Sequence, residues 1–123
     1  MKCRRGVAEH DVTPNSVAAN LAHLARELAA LTDGLGDLEL KAVNAREDYV
    51  LAHAKAFLSS EGAMELRKHN ALMETSTERL AAETAEALVR QRKAQIAAIK
   101  VRIDVGRSVG AVVRAEIDLE RSK

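Results

Sequence analysis

An apolar repeat in the first half of the chain constrains the fold more than any other feature of the sequence. Between residues 17 and 56, apolar side chains recur at alternating intervals of four and three residues. Heptad spacing of this kind places its members along one side of an α-helix that packs lengthwise against another helix. We call this set the first seam, and its members are Val17, Leu21, Leu24, Leu28, Leu31, Leu35, Leu38, Ala42, Ala45, Tyr49, Ala52 and Ala56.

The composition favours helix packing over a bulky core. Hydrophobic residues make up 47% of the 123 residues, but only Tyr49 and Phe57 are aromatic. With 30% charged residues and one proline, the chain has the composition of long helices or a coiled coil. We therefore expect an all-α protein, and the lack of large side chains disfavours an enclosed catalytic pocket.

The first helix is predicted to run from residue 14 to residue 60. Thr13 and Pro14 indicate its start, because a threonine hydroxyl caps free backbone N–H groups and proline is tolerated in the first turn. The segment before it, residues 1–13, is expected to be a flexible arm. Two glycines in DGLGD would each weaken a helix by about 1 kcal/mol relative to alanine. Because the first seam keeps its phase across them, we predict one continuous helix, with a loop as the alternative.

A turn near residues 59–63 is predicted to end the first helix. Ser59 and Ser60 favour a helix end, and Gly62 supplies a left-handed exit. A second helix is predicted over residues 63–105, where no proline or glycine occurs and apolar residues return at helical intervals. The apolar positions expected to pack are Met64, Met73, Leu80, Leu88, Ile96, Ile99 and Ile103.

The two helices are predicted to form an antiparallel hairpin over residues 14–106, because a connection of three or four residues reverses the chain direction. Gly106 and Gly110 mark a hinge or a close-packing point, and residues 107–123 are expected to form a short helix or a tail. Many contact positions in the hairpin hold alanine, which buries little apolar area. We therefore expect the hairpin to self-associate into a homo-oligomer.

Basic charge collects at the C-terminal end of the sequence. Residues 88–123 hold nine Lys or Arg against four Asp or Glu, a balance of +5, within a chain of net charge +1. Arg90, Lys93, Lys100 and Arg107 would form one stripe on a continuous helix, with Arg102 on a neighbouring face. Such a stripe is suited to a nucleic-acid backbone. The competing interpretation is an ordinary solvated helix face.

Signals for catalysis, metal or cofactor binding and membrane insertion are missing from the sequence. The four histidines and the single Cys3 show no metal-ligand spacing. The one cysteine suits a reducing compartment, and no apolar run approaches the roughly 20 residues that span a bilayer. The sequence therefore predicts a non-enzymatic, cytoplasmic protein without cofactors.

Three features follow one another along the chain: a Gly-containing turn within EDYVLAHAKAFLSSEGAMELRKHNAL, a long Ala- and Leu-rich return helix, and a basic segment IAAIKVRIDVGRSVGA. In this order of elements, roughly from Leu38 to Ala111, the chain resembles small helical proteins of tailed phages. Its layout is similar to that of the UvsY-type recombination mediators.

The resemblance implies an oligomeric helper that binds single-stranded DNA and loads a recombinase onto DNA covered by single-strand-binding protein. It implies phosphate contacts by Lys93, Lys100, Arg102 and Arg107, with Arg67 and Lys68 beside the turn as further candidates. Two other classes stay open from the sequence. One is a coiled-coil scaffold or chaperone of a phage particle, whose partner surface would be the first seam from Leu21 to Leu38. The other is a small regulator that binds a host protein.

Overall fold

The computed structural model describes residues 12–122, and within them the backbone forms four α-helices and no strand. The prediction of an all-α protein is therefore confirmed for the described part of the chain. Cys3, His10 and most of the predicted N-terminal arm lie outside the described residues. The helices are α1 (Pro14–Asp33), α2 (Leu35–Ser59), α3 (Met64–Glu74) and α4 (Ser76–Ser122).

The start of α1 is capped as the sequence indicates. The backbone N–H of Ser16 donates to Oγ1 of Thr13 at 3.1 Å, and the N–H of Thr13 donates to Oγ of Ser16 at 2.8 Å. This reciprocal pair satisfies donors that the helix leaves without an internal partner. Pro14 takes the first helical position, where its missing N–H costs nothing.

The prediction of one continuous helix through the two glycines is wrong at Gly34. α1 ends at Asp33 and α2 begins at Leu35. Gly34 between them has φ −92° and ψ 0°, which departs from helical geometry. The interruption covers one residue, and the N–H of Leu38 still donates to the carbonyl of Gly34 at 3.2 Å. Because the break is this short, the first seam keeps its phase into α2.

The chain turns between Ser59 and Met64. Gly62 there has φ 107°, a left-handed conformation that residues with a Cβ rarely adopt. The hydroxyl of Ser59 donates to the carbonyl of Lys55 at 2.8 Å, and the N–H of Ser60 donates to the carbonyl of Phe57 at 3.3 Å. These bonds satisfy carbonyls at the end of α2.

A second break, which the sequence did not indicate, lies at Thr75. The structure divides the predicted helix over 63–105 into α3 and α4 at this residue. Thr75 is 3% exposed, and its hydroxyl donates to the carbonyl of Ala71 at 2.7 Å. A hydroxyl that bonds back to the preceding turn competes with the regular backbone ladder and bends or ends helices.

The predicted helix end at Gly106 is also wrong. α4 continues through Gly106 and Gly110 to Ser122, so residues 107–122 belong to the helix that the sequence ended at 105. A Cβ built on Gly106 would lie 2.7 Å from Cδ2 of Leu21, and one built on Gly110 would lie 3.2 Å from Cγ1 of Val17. The two glycines therefore act as close-packing points between helices and not as a hinge.

The chain divides into two compact units. The described part of unit 1 comprises residues 12–32 and 95–122, and unit 2 comprises Asp33–Ala94. In unit 1, the packing surface of α4 consists of residues at alternating intervals of three and four, which we call the inner stripe. Its members are Ile96, Ile99, Ile103, Gly106, Gly110, Val113 and Ile117, all buried or half-buried.

In unit 2, α3 and the part of α4 up to Ala94 form what we call the return segment. Its packed positions are mostly small or polar. Seven buried or half-buried residues continue the three- and four-residue spacing of the inner stripe toward the N-terminus. They are Ala71, Thr75, Glu78, Ala82, Ala85, Val89 and Arg92. The larger residues expected to pack here are exposed, Met64 by 58%, Met73 by 64%, Leu80 by 64% and Leu88 by 46%. The prediction was wrong for these four because it followed the size of the side chains, whereas the helices approach through small ones.

Candidate nucleic-acid interface

Four exposed cations occupy one position of the heptad along the unit 1 part of α4. Lys100, Arg107, Arg114 and Arg121 follow one another at intervals of seven residues, and all are exposed. Seven residues make nearly two turns of an α-helix, so the four side chains share one face over about 31 Å. We call these four residues the basic column.

The basic column contains two cations that were not among the residues predicted from the sequence. Lys100 and Arg107 were predicted, whereas Arg114 and Arg121 were missed because α4 was expected to end at Gly106. The signal was present in the sequence as a continued interval of seven.

Most of the basic column has no neutralising partner. Nη1 of Arg107 lies 3.9 Å from Oδ1 of Asp104, and both side chains are about three-quarters exposed, 73% and 76%. An ion pair this exposed holds its members weakly. Lys100, Arg114 and Arg121 form no ion pair with a described residue. The column is therefore open to an external anion.

The other predicted cations are arranged differently. Arg90 and Lys93 belong to unit 2, where Nζ of Lys93 lies 3.4 Å from Oε2 of Glu39. Arg102 is two residues beyond Lys100, a rotation of about 200° around the helix. It lines a groove of about 280 Å³ on the opposite side of α4, beside residues of α1. Of the predicted set in unit 1, only Lys100 and Arg107 share a face.

Arg67 is engaged within unit 2. Its Nη2 donates to the carbonyl of Phe57 at 3.1 Å, and its guanidinium lies 4.4 Å from the centre of the Phe57 ring. These contacts join α3 to the end of α2. Nζ of Lys68 lies 3.7 Å from Oε1 of Glu65. The contacts give Arg67 a structural role, while Lys68, whose side chain is 58% exposed, stays accessible.

A salt bridge with two hydrogen bonds lies within unit 2 and could not be predicted from the sequence. Nε and Nη2 of Arg46 donate to the two carboxylate oxygens of Glu86 at 2.9 and 2.6 Å. This hydrogen bonding lowers the pKa of Glu86 and raises the pKa of Arg46, because each charged form gains a partner. The guanidinium also lies 5.5 Å from the centre of the Tyr49 ring. The pair is forty residues apart in sequence, beyond the reach of helical periodicity.

The first seam lies on the packed side of α1 and α2. Leu24 is 1% exposed, and the other leucines of the predicted partner surface, Leu21, Leu28, Leu31, Leu35 and Leu38, are half-buried. In unit 1, Leu21 stands against Gly106 of the same chain. A partner helix would reach this part of the seam only by displacing α4.

Metal-binding clusters and membrane-spanning helices are absent from residues 12–122. No group of three or more histidine, aspartate or glutamate side chains there is placed to hold a metal ion. None of the helices described has an apolar run long enough to cross a lipid bilayer.

Comparisons with family models, with curated proteins and with solved structures find no match to this chain. The resemblance to UvsY-type mediators therefore remains an expectation from the sequence.

Proposed function

We propose that this protein is a non-enzymatic accessory protein that binds single-stranded DNA through the basic column. The observation that carries the proposal is the column itself, with four exposed cations on one face of α4, three of them without an ion pair to a described residue. The resemblance to UvsY-type mediators adds the role, which is to assist recombination or replication by loading a recombinase. A recombinase and a single-strand-binding protein are the partners it implies.

The chemistry of the column favours backbone contact over base recognition. Lysine and arginine bind phosphates and release condensed counterions, so affinity falls as salt rises. Base stacking needs aromatic side chains, and Tyr49 and Phe57, the only two in the chain, both lie in α2 and not on α4. We therefore propose binding that is electrostatic and indifferent to base sequence.

We further propose that the chain is an antiparallel helical hairpin and a homo-oligomer. Within unit 2, Glu39 pairs with Lys93 and Arg46 pairs with Glu86. Within unit 1, Val17 faces Gly110 and Leu21 faces Gly106. In both cases the number of the partner falls as the number of the residue rises, which supports opposite chain directions. Large apolar side chains left exposed on α4 support self-association.

The test is binding of a fluorescent oligothymidylate, measured by anisotropy over a series of salt concentrations. If the four cations each contact a phosphate, the slope of log K against log salt is expected to be roughly −3, at about −0.7 per contact on single strands. The variant Lys100→Glu/Arg107→Glu/Arg114→Glu should weaken binding at least about tenfold.

A variant with the same change in net charge serves as the control. Arg26, Lys41 and Lys55 are exposed cations of α1 and α2 that were not predicted to contact DNA, and Arg26→Glu/Lys41→Glu/Lys55→Glu should bind nearly as the native chain does. Equal loss in both variants would assign the effect to net charge and overturn the column as the site. No binding at low salt, or binding that salt leaves unchanged, would overturn the proposed function.

A second candidate function is a structural or assembly protein of a phage particle. It is favoured by exposed apolar side chains on α2, including Leu40 at 60% and Val43 at 65% exposure, because such patches mark protein contact surfaces. Recovery of the chain with virion proteins and without nucleic acid would support this candidate over DNA binding.

A further inference from the structure

The unit 1 part of α4 carries a second apolar stripe besides the inner stripe. Each of its members follows an inner-stripe residue by two positions, and two residues rotate a helix by about 200°. The two stripes therefore lie on nearly opposite faces of α4. We call this second set the outer stripe, and its members are Ala98, Val101, Val105, Ser108, Val112, Ala115 and Leu119.

The three valines and the leucine of the outer stripe are largely exposed. Val101 is 61% exposed, Val105 57%, Val112 57% and Leu119 66%. Its spacing alternates between three and four residues, as that of the inner stripe does. A helix that is apolar on two opposite faces is typical of one that packs on both sides. The inner stripe packs within unit 1, so the outer stripe is left for another occupant.

When two copies of the chain are paired in one orientation, charges beside the outer stripe of one copy are complementary to those of the other. Arg102 and Glu116 flank the stripe on the same side, both are exposed, and neither forms an ion pair with a described residue. If a second copy packs antiparallel with the two-fold axis near Val109 and Gly110, Arg102 of each copy lies opposite Glu116 of the other. A parallel pair would instead place Arg102 opposite Ala97 and Glu116 opposite Ala111, without a charge partner.

The sizes of the facing side chains agree with the same orientation. In the antiparallel register, Val105 faces Ala115, Val112 faces Ser108 and Leu119 faces Val101. In two of these three pairs a valine thus meets a smaller residue, which lets two helices interdigitate. On the opposite flank Asp104 of each copy would face Asp118 of the other, which makes two unfavourable pairs. Nη1 of Arg107 lies 3.9 Å from Oδ1 of Asp104 and reduces the repulsion.

We propose that the outer stripe pairs two copies of this chain in antiparallel orientation, with two Arg102–Glu116 ion pairs between the copies. The proposal does not depend on DNA binding, because no residue of the basic column belongs to the outer stripe. Each copy would bury three valines and a leucine over about 27 Å of helix. This contact is smaller than a standard protein interface, so we expect a reversible dimer that forms as concentration rises.

Sedimentation velocity over a range of concentrations tests the proposal on the full chain without DNA. The native protein should change from monomer to dimer, and Val105→Glu/Val112→Glu should remain monomeric. The matched control Val43→Glu/Val50→Glu changes two exposed valines of α2, 65% and 50% exposed, and should dimerise as the native chain does. Circular dichroism should show native helix content for both variants.

A charge exchange tests the orientation. Arg102→Glu should weaken the dimer about tenfold, because each of two ion pairs becomes a repulsion. Glu116→Arg should do the same, and the double variant Arg102→Glu/Glu116→Arg should recover nearly native dimerisation. Single variants without effect, or a double variant as weak as the singles, would overturn the antiparallel register.

Other occupants of the outer stripe would give different results. Val12 lines a groove of about 590 Å³ together with Val105, Ser108 and Val112 of the outer stripe, so the segment preceding α1 is one rival occupant. A native chain that stays monomeric, and dimerises only after deletion of residues 1–11, would overturn the proposal in favour of that segment. A monomer at all concentrations with and without the deletion would also overturn it.

Discussion

Single residues decide how closely the helices of this protein approach. Gly106 of α4 faces Leu21 of α1, and a Cβ at Gly106 would lie 2.7 Å from Cδ2 of that leucine. Gly36 near the start of α2 has no such neighbour within 4 Å. The same residue type therefore serves packing at one position and not at the other.

Gly106→Ala and Gly36→Ala are expected to change stability in opposite directions. Alanine gains up to about 1 kcal/mol of helix propensity over glycine at either position. At Gly106 this gain is outweighed by crowding against Leu21, which costs about 1–3 kcal/mol in a packed interior. Urea unfolding should show Gly106→Ala to be less stable than the native chain and Gly36→Ala to be at least as stable.

The reason for the Gly106→Ala effect can be checked with a second substitution. Adding Leu21→Ala removes the side chain that the new methyl group meets, so the two changes should cost less together than the sum of their separate costs. Additive costs would show that crowding at this contact is not the cause.

The Arg46–Glu86 pair predicts how stability depends on pH. Hydrogen bonding to Arg46 lowers the pKa of Glu86 in the folded chain. Its contribution is therefore fully present above the pKa that Glu86 has when unfolded, and it is lost as pH falls through the folded pKa. Thermal unfolding should show a Glu86→Gln variant to be less stable than the native chain at pH 7, with the difference disappearing in acid.

A matched glutamate separates this effect from a general change in charge. Glu61 lies exposed in the turn, and Glu61→Gln should leave the melting temperature close to the native value at every pH. A difference between Glu86→Gln and the native chain that stays constant from pH 7 into acid would contradict the role given to the ion pair.

At the scale of the elements, burial follows the heptad phase and not the size of the side chain. Leu24 of α1 is 1% exposed, whereas Leu80 of α4 is 64% exposed. Alanines at 71 and 82, in contrast, are fully buried. Within unit 2, the return segment thus packs through small residues, which permits close helix approach.

Truncating the two leucines should separate the packed face from the exposed one. Leu24→Ala is expected to cost about 3 kcal/mol, because it removes buried methyl groups and leaves a cavity. Leu80→Ala should stay within about 0.5 kcal/mol of the native chain. Both values are measured by chemical denaturation, and a comparable loss at the two positions would contradict the assigned faces.

At the scale of the whole molecule, the proposed dimer links stability to concentration. A folded dimer that dissociates on unfolding gains stability as protein concentration rises. The melting temperature of the native chain should therefore increase by about 3 °C for each tenfold rise in concentration. The Val105→Glu/Val112→Glu variant should melt at one temperature throughout, and a concentration-dependent melt of this variant would point to a different interface.

The sequence by itself determined the features that depend on neighbouring residues. The cap by Thr13, the turn at Gly62 and the packed side of α1 and α2 could all be predicted, because capping, left-handed backbone and heptad phase are local properties. Lys100 and Arg107, which are half of the basic column, were predicted for the same reason. Its other half was missed only because Gly106 resembles a helix end.

Ile96, Ile99 and Ile103 were predicted to pack and are buried or half-buried, but beyond Ile103 the tertiary structure alone decided which face of α4 points inward. Inner and outer stripes have the same spacing and similar apolar character, so periodicity cannot rank them. What separates them is the complementary shape of a helix distant in sequence, since Leu21 needs a glycine opposite it and finds one at Gly106. The Arg46–Glu86 bridge depends on the same long-range approach, because only packing brings residues forty positions apart within hydrogen-bonding distance.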